Sequence, residues 1–161
     1  MNMLSNVEKK MSGNKMGSKI EGEEYLVLHE FAKKAKKNLS KETWDYLIGA
    51  AETETTFKRN RFALDSLAFR PRILRDVEKI DLSADMFGHK LKIPVILAPI
   101  GSMQDFVEGA GIAPTLAASK FGIMHMTSST CLPGFEEVAK SVDYPKFFQL
   151  YVRGDKDWVD D

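Results

Sequence analysis

The sequence predicts an α/β fold built on a parallel sheet or barrel, and three observations carry that prediction. Ile93 to Ser102 is a near-continuous apolar run of strand length that stops abruptly in proline, glycine and serine. A run too short for a helix and flanked by breakers reads as a strand buried on both faces. Two further strand-like runs follow, Ile123–Ser128 and Phe147–Val152. Between them lie helical patterns: Gly109 to Phe121, closed by Gly122, and a stripe of Phe135, Val138, Ala139 and Val142. Strand and helix alternate, and each strand ends in residues that are small or can hydrogen-bond. A parallel α/β sheet or barrel presents its site at such carboxyl ends.

The elements before that region are of another kind. Residues 1–22 are polar, without period, and predict a disordered lead to a domain over 23–161. From Glu23 to Lys37 an apolar stripe (Leu26, Val27, Phe31, Ala35) has acids early and lysines late, the order a helix dipole favours. Lys33, Lys34, Lys36 and Lys37 read as a solvated face rather than a lipid contact. Ser40 can cap a second helix in which Trp44, Leu47 and Ile48 share a face. A third helix spans about Thr55 to Ala68, with Phe57, Leu64 and Leu67 available to pack. Arg70-Pro71-Arg72 breaks it, because proline disfavours a helical residue before it. Ile80 to Lys92 predicts a hairpin turning near Gly88. Pro114 is tolerable only in the first turn of its helix. Asp155 is placed to cap a last helix.

Composition excludes several classes. The 161 residues carry 23 basic and 23 acidic side chains, so no net field recruits nucleic acid or an anionic membrane. The single cysteine, Cys131, allows no internal disulfide and suits a reducing cytoplasmic setting. No apolar run approaches the roughly 20 residues that span a bilayer. His29, His89 and His125 are isolated and neither HExxH nor CxxC occurs, so no metal site is expected; His125, in an apolar strand, reads as a core histidine. There is no G-x-S-x-G, Walker loop or G-x-G-x-x-G. What remains is the set of strand ends. Ala98-Pro99-Ile100-Gly101 permits close approach of a flat ligand. Ser128, Gln149 and Tyr151 supply a hydroxyl, an amide and a phenol on neighbouring strands, and Gln149 and Tyr151 share a face. Composition does not name the ligand.

Four stretches carry a resemblance: RPRILRDV at Arg70–Val77, IPVILAPIGSMQ at Ile93–Gln104, MTSSTC followed by FEEVAK at Met126–Lys140, and FFQLYV at Phe147–Val152. In that order and spacing they resemble the start of the FMN-dependent α-hydroxy-acid oxidase and dehydrogenase family, over about Tyr25 to the end. The resemblance implies the first three βα units of a (β/α)8 TIM barrel, preceded by a helical and hairpin segment. It implies FMN across the strand ends, with Pro99, Ile100 and Gly101 lining the flavin, and Ser128 and Gln149 on the pyrimidine edge of its ring. It implies that Tyr46 holds the carboxylate of a small-molecule L-2-hydroxy acid of the lactate or glycolate kind. Tyr151 then serves as substrate-binding and catalytic phenol on the hydroxyl. Oxygen, a quinone and a cytochrome all stand as electron acceptors. A homo-oligomer is implied, and peripheral membrane association is compatible with it.

Three departures bear on that carry-over. Gly101 stands where many members have alanine, Thr130 where glycolate oxidase has a tryptophan, and Ser102 where a bulkier residue is common. The family's proton-accepting histidine, carboxylate-pairing arginine, flavin-facing lysine and phosphate loops have no counterpart in these residues. The expectation is therefore an incomplete, inactive portion of such an enzyme. Beside it stand a small non-catalytic α/β binding or scaffold protein retaining a half-site, and a chain completed by strands from another polypeptide.

Overall fold

The computed structural model describes residues 25–160; the polar lead expected over 1–22 lies outside them. The described residues divide into two units, 25–81 and 82–160.

The first unit is helical: α1 (His29–Asn38), α2 (Lys41–Ile48) and α3 (Thr55–Asp65). Local chemistry sets the boundaries. The Glu30 carboxylate accepts from the Leu26 N–H at 2.7 Å, and Lys36 and Lys37 occupy the last turn of α1, so charge opposes the dipole at both ends. Ser40 caps α2 as expected, its Oγ accepting from the Thr43 N–H at 3.2 Å. The Lys36 ammonium stands 5.8 Å from the centre of the Trp44 ring. In α3 Arg61 pairs with Asp65 one turn on, and Ser66 ends the helix by donating to the Ala63 carbonyl, three residues short of the expected Ala68. The apolar stripes behave differently from expectation. Leu26, Phe31, Leu47, Phe57, Leu64 and Leu67 are all exposed, and none of the three helices holds a buried residue. Exposed i,i+4 ion pairs, weakened by solvent screening, and helix caps are the local stabilisation this unit shows.

The second unit opens with a hairpin, β1 (Ala84–Met86) against β2 (His89–Leu91), paired antiparallel from Ala84↔Leu91 to Met86↔His89. Its turn lies where the sequence places it. Phe87 and Gly88 both have positive φ (49° and 78°), the geometry of a two-residue primed turn that matches strand twist. Leu91 is wholly buried.

A three-stranded parallel sheet follows, in order β3 (Ile96–Leu97), β4 (Met124–Ser128), β5 (Phe147–Gln149), with α4 (Ile112–Phe121) and α5 (Phe135–Ser141) as crossovers and α6 (Lys156–Asp160) after it. Pro114 falls in the first turn of α4, where its missing N–H is not needed. Gly122 stops α4 with φ +92°, and the N–H groups of Gly122 and Ile123 both donate to the Ala118 carbonyl. Asp155 caps α6 by accepting from the Trp158 N–H at 3.2 Å. Two strands are shorter than expected. The apolar run 93–102 yields only Ile96–Leu97, because Pro94 and Pro99 remove ladder donors on either side and the Val95 N–H turns back to the Ile93 carbonyl. Nor is that strand buried on both faces: Ile96 and Leu97 are half-buried, Val95 and Ile100 exposed. Likewise Leu150, Tyr151 and Val152 lie beyond β5 and are exposed.

Alternation sorts the sheet into two faces. Toward the helices point His125, hydrogen-bonded to Thr115 of α4, and Phe148, whose ring lies 4.7 Å from that of Phe135 on α5. On the other face stand Met124, Met126 and Ser128, with Phe147 in register with Met126 and Gln149 with Ser128. Phe147, the first residue of β5, meets the hairpin tip through Phe87, ring centres 5.2 Å apart and edge-on. The hairpin tip thus packs against the start of β5, while Ser128 and Gln149 stand at the carboxyl ends.

His125 is the buried core histidine the sequence predicts, 3% exposed. Thr115 Oγ1 gives its only proton to the Gly111 carbonyl at 2.8 Å, so it accepts from His125 Nδ1–H, also at 2.8 Å. Burial lowers the imidazole pKa from 6.5, which disfavours the cation in the fold alone. The unfolded chain then binds more protons below pH 6.5, so the His125 contribution is whole above that pH and lost as pH falls through the depressed folded value. Urea midpoints measured from pH 8 to pH 5 should fall through that window, and His125→Gln should flatten this part of the profile. An unchanged slope in the variant would contradict the assignment.

Candidate functional site

Three loops meet at the carboxyl ends of β3, β4 and β5, and hydrogen bonds knit each to the next. Ser102, after β3, donates its N–H to the Thr130 carbonyl at 3.2 Å. Ser129, after β4, donates its N–H to the Gln149 carbonyl at 3.0 Å and accepts on Oγ from the Tyr151 N–H at 3.3 Å. Ser128 Oγ donates to Gln149 Oε1 at 3.2 Å, linking strands 21 residues apart in sequence. Farther along, Gln104 Oε1 accepts from the Leu132 N–H at 3.1 Å, and the Gly111 N–H donates to the Leu132 carbonyl at 3.1 Å.

The structure therefore gathers most of the residues singled out in the sequence. Gly101, Ser128 and Gln149 form one cluster: a Cβ built on Gly101 would lie 3.9 Å from Ser128 Oγ, which in turn bonds Gln149. Pro99 and Ile100 lead into Gly101, and among the described residues the N–H groups of Ile100 and Gly101 make no hydrogen bond. Ile100 is exposed and Gly101 half-buried, so both donors are open to solvent or to a ligand. Tyr151 is tethered to the cluster through its backbone N–H, and the residue is 55% exposed. Tyr46 belongs to the helical unit, on α2, with an exposed ring. The cluster above is built from the second unit alone.

Thr130, which the sequence marks only as a departure from the family's tryptophan, is bonded into the cluster. Its Oγ1 lies 3.0 Å from Ser128 Oγ, and its N–H donates to the same oxygen at 3.3 Å. Cys131 next to it is buried, its Sγ donating to the Leu132 carbonyl; burial pushes the thiol up, away from the thiolate a nucleophile needs. No group of three or more His, Cys, Asp or Glu among the described residues is placed to hold a metal. No helix among them is long and apolar enough to cross a membrane.

Comparison with known proteins places this arrangement. Residues 35–161 match the family model of the FMN-dependent dehydrogenases. The chain is 42% identical over 132 residues to glycolate oxidase 1 of Oryza sativa subsp. indica, covering 81% of this chain and 36% of that protein. It is 35% identical over 130 residues to L-lactate dehydrogenase of Alcaligenes faecalis, covering 81% and 34%. Among solved structures it is similar to a soluble mutant of the membrane-associated (S)-mandelate dehydrogenase of Pseudomonas putida, with TM-score 0.74 and 33% identity over 77% of this chain and 36% of that one. A mandelate oxidase superposes with TM-score 0.79 at 28% identity, covering 84% of this chain and 40% of the other. The chain spans about a third of the length of the relatives it matches. With the matched region taking in all three strand ends, the chain belongs to the FMN-dependent dehydrogenase family.

Proposed function

We propose that this chain forms the flavin-edge portion of a site that oxidises an L-2-hydroxy acid, of the lactate or glycolate kind, to the 2-oxo acid. The observation that carries the proposal is the gathering of Gly101, Ser128 and Gln149 at the carboxyl ends of adjacent parallel strands, beside the uncommitted Ile100 and Gly101 N–H groups. A flat heteroaromatic ring with acceptors along one edge suits that donor set. In this reading β3, β4 and β5 are the first strands of a (β/α)8 barrel, and residues 23–161 belong to one catalytic domain.

Bound FMN would supply the two-electron acceptor. The residues would do the rest of the positioning. Pro99 and Ile100 shape the wall against the ring, and the N–H groups of Ile100 and Gly101 donate to its central edge. Gln149 faces the pyrimidine edge with Ser128 bonded behind it, where donors stabilise the negative charge that reduction places there. Tyr151 donates to or accepts from the substrate hydroxyl, and Tyr46 is assigned to the carboxylate. What these residues do not provide is a base for the substrate's proton. His29 lies on α1, His89 on β2, and His125 on the helix-covered face of β4, bonded to Thr115. A positioned base is worth about 10²–10⁴ in rate, so we read the chain alone as binding without appreciable turnover. The acceptor (oxygen, quinone or cytochrome), a homo-oligomeric state and a cytoplasmic setting are carried over as expectations.

Titrating the chain with FMN, followed by quenching of flavin fluorescence, tests the proposal. Gln149→Leu removes one amide and should weaken binding about three- to tenfold, the worth of one or two hydrogen bonds. Binding that is absent, or indifferent to Gln149, would refute the assignment of this edge.

A further inference from the structure

We propose that Thr130 is a positioning residue that makes glycine necessary at position 101 and, through Ser128, fixes the amide orientation of Gln149; this deepens the flavin reading and rests on it only for the ligand. Gly101 does not have a positive φ, so its backbone places no demand for glycine. The demand is steric. A Cβ there would lie 2.4 Å from Thr130 Oγ1 and 3.6 Å from Thr130 Cβ. The Thr130 backbone is held by Ser102 and Ser128, so relief requires its Oγ1 to rotate away and give up the 3.0 Å bond to Ser128 Oγ. Its hydroxyl sits where an alanine methyl would be.

Counting protons shows what that hydroxyl does. Ser128 Oγ has one proton and two lone pairs. Gln149 Oε1 carries no proton, so Ser128 donates to it at 3.2 Å. One Ser128 lone pair takes the Thr130 N–H at 3.3 Å, and the other takes the Thr130 hydroxyl proton at 3.0 Å. The serine oxygen is then saturated. With Oε1 engaged by Ser128, Gln149 keeps both amide protons for a ligand. Ser128 therefore acts through Gln149, and Gln149 is the donor the ligand meets. The Thr130 hydroxyl keeps its own lone pairs.

Two measurements on the flavin-free chain test the two halves. In the parent, Gly101→Ala should raise the unfolding constant about tenfold or more, as overpacking does. In a Thr130→Ala background the same change should leave that constant unchanged or lower it, since a Cβ at ordinary φ only restricts the unfolded chain. Equal effects in both backgrounds overturn the steric half. For the second half, Thr130→Val keeps the shape and removes the hydroxyl, while Thr130→Ser restores the hydroxyl. The side-chain amide pair of Gln149 in nitrogen–proton correlation spectra should shift in Thr130→Val and return in Thr130→Ser. A pair that stays put in Thr130→Val, or moves equally in both, overturns the positioning half. Neither readout involves FMN, so a failure here is distinct from a failure of the flavin reading.

Discussion

Leu91→Ala is expected to destabilise the second unit by about 2–5 kcal/mol, the usual cost of removing a buried leucine side chain. Leu91 is fully buried at the end of β2, and the next residue, Lys92, donates its N–H to the Gly122 carbonyl at 2.8 Å. Truncation therefore opens a cavity at the point where the hairpin joins the end of α4. Domains of this size are stable by only about 5–15 kcal/mol, so the loss is a large share of the total. Chemical denaturation followed by near- and far-ultraviolet circular dichroism would register it as a lower midpoint at similar slope. A midpoint within error of the parent would show that the hairpin does not contribute to the fold's stability.

Gly122→Val is the second large effect, and its cause is local. Gly122 ends α4 at φ +92°, where a β-branched residue is strongly disfavoured, and a Cβ there would lie 3.3 Å from Lys92 Cβ. The backbone strain alone costs about 1–3 kcal/mol. The displaced turn also carries two bonds to the Ala118 carbonyl and the Gly122 carbonyl's bond to Lys92. We expect a combined loss near that of Leu91→Ala, read by the same denaturation experiment. Gly122→Asn, which tolerates left-handed backbone better, should recover part of it. Equal losses in the asparagine and valine variants would point to the Lys92 contact rather than to φ.

Much of this architecture is legible in the chain because it is written locally. Ser40, Asp155, Gly88, Gly122 and Pro114 each act within a turn of their own position, and each does what its chemistry predicts. The alternation of strand and helix is equally local, and His125 betrayed its burial by its apolar neighbours. What the sequence hid depends on which segments become neighbours. The run 93–102 looked like one long strand because hydrophobicity does not register the donors that Pro94 and Pro99 remove. The helical stripes promised burial, yet a stripe states only that a face is apolar, not that anything covers it; Leu26 and Leu64 are exposed. At the site, Gly101, Ser128 and Gln149 were recognisable as strand-end residues with suitable chemistry. Thr130 stood out only as a departure from the family's tryptophan; its contacts were hidden because they depend on a hydroxyl reaching residues 29 positions back and two positions back at once. Gly101 itself reads in sequence as room for a ligand, whereas the structure fills that room with Thr130 Oγ1.

The edge-on meeting of Phe87 with Phe147 has a consequence for how this molecule can change. It packs the hairpin tip on the start of β5 with aromatic carbon, two residues before Gln149. That ring pair and the strand-end cluster share no side chain, so substitutions at Ile100, Thr130 or Tyr151 leave this aromatic anchor in place.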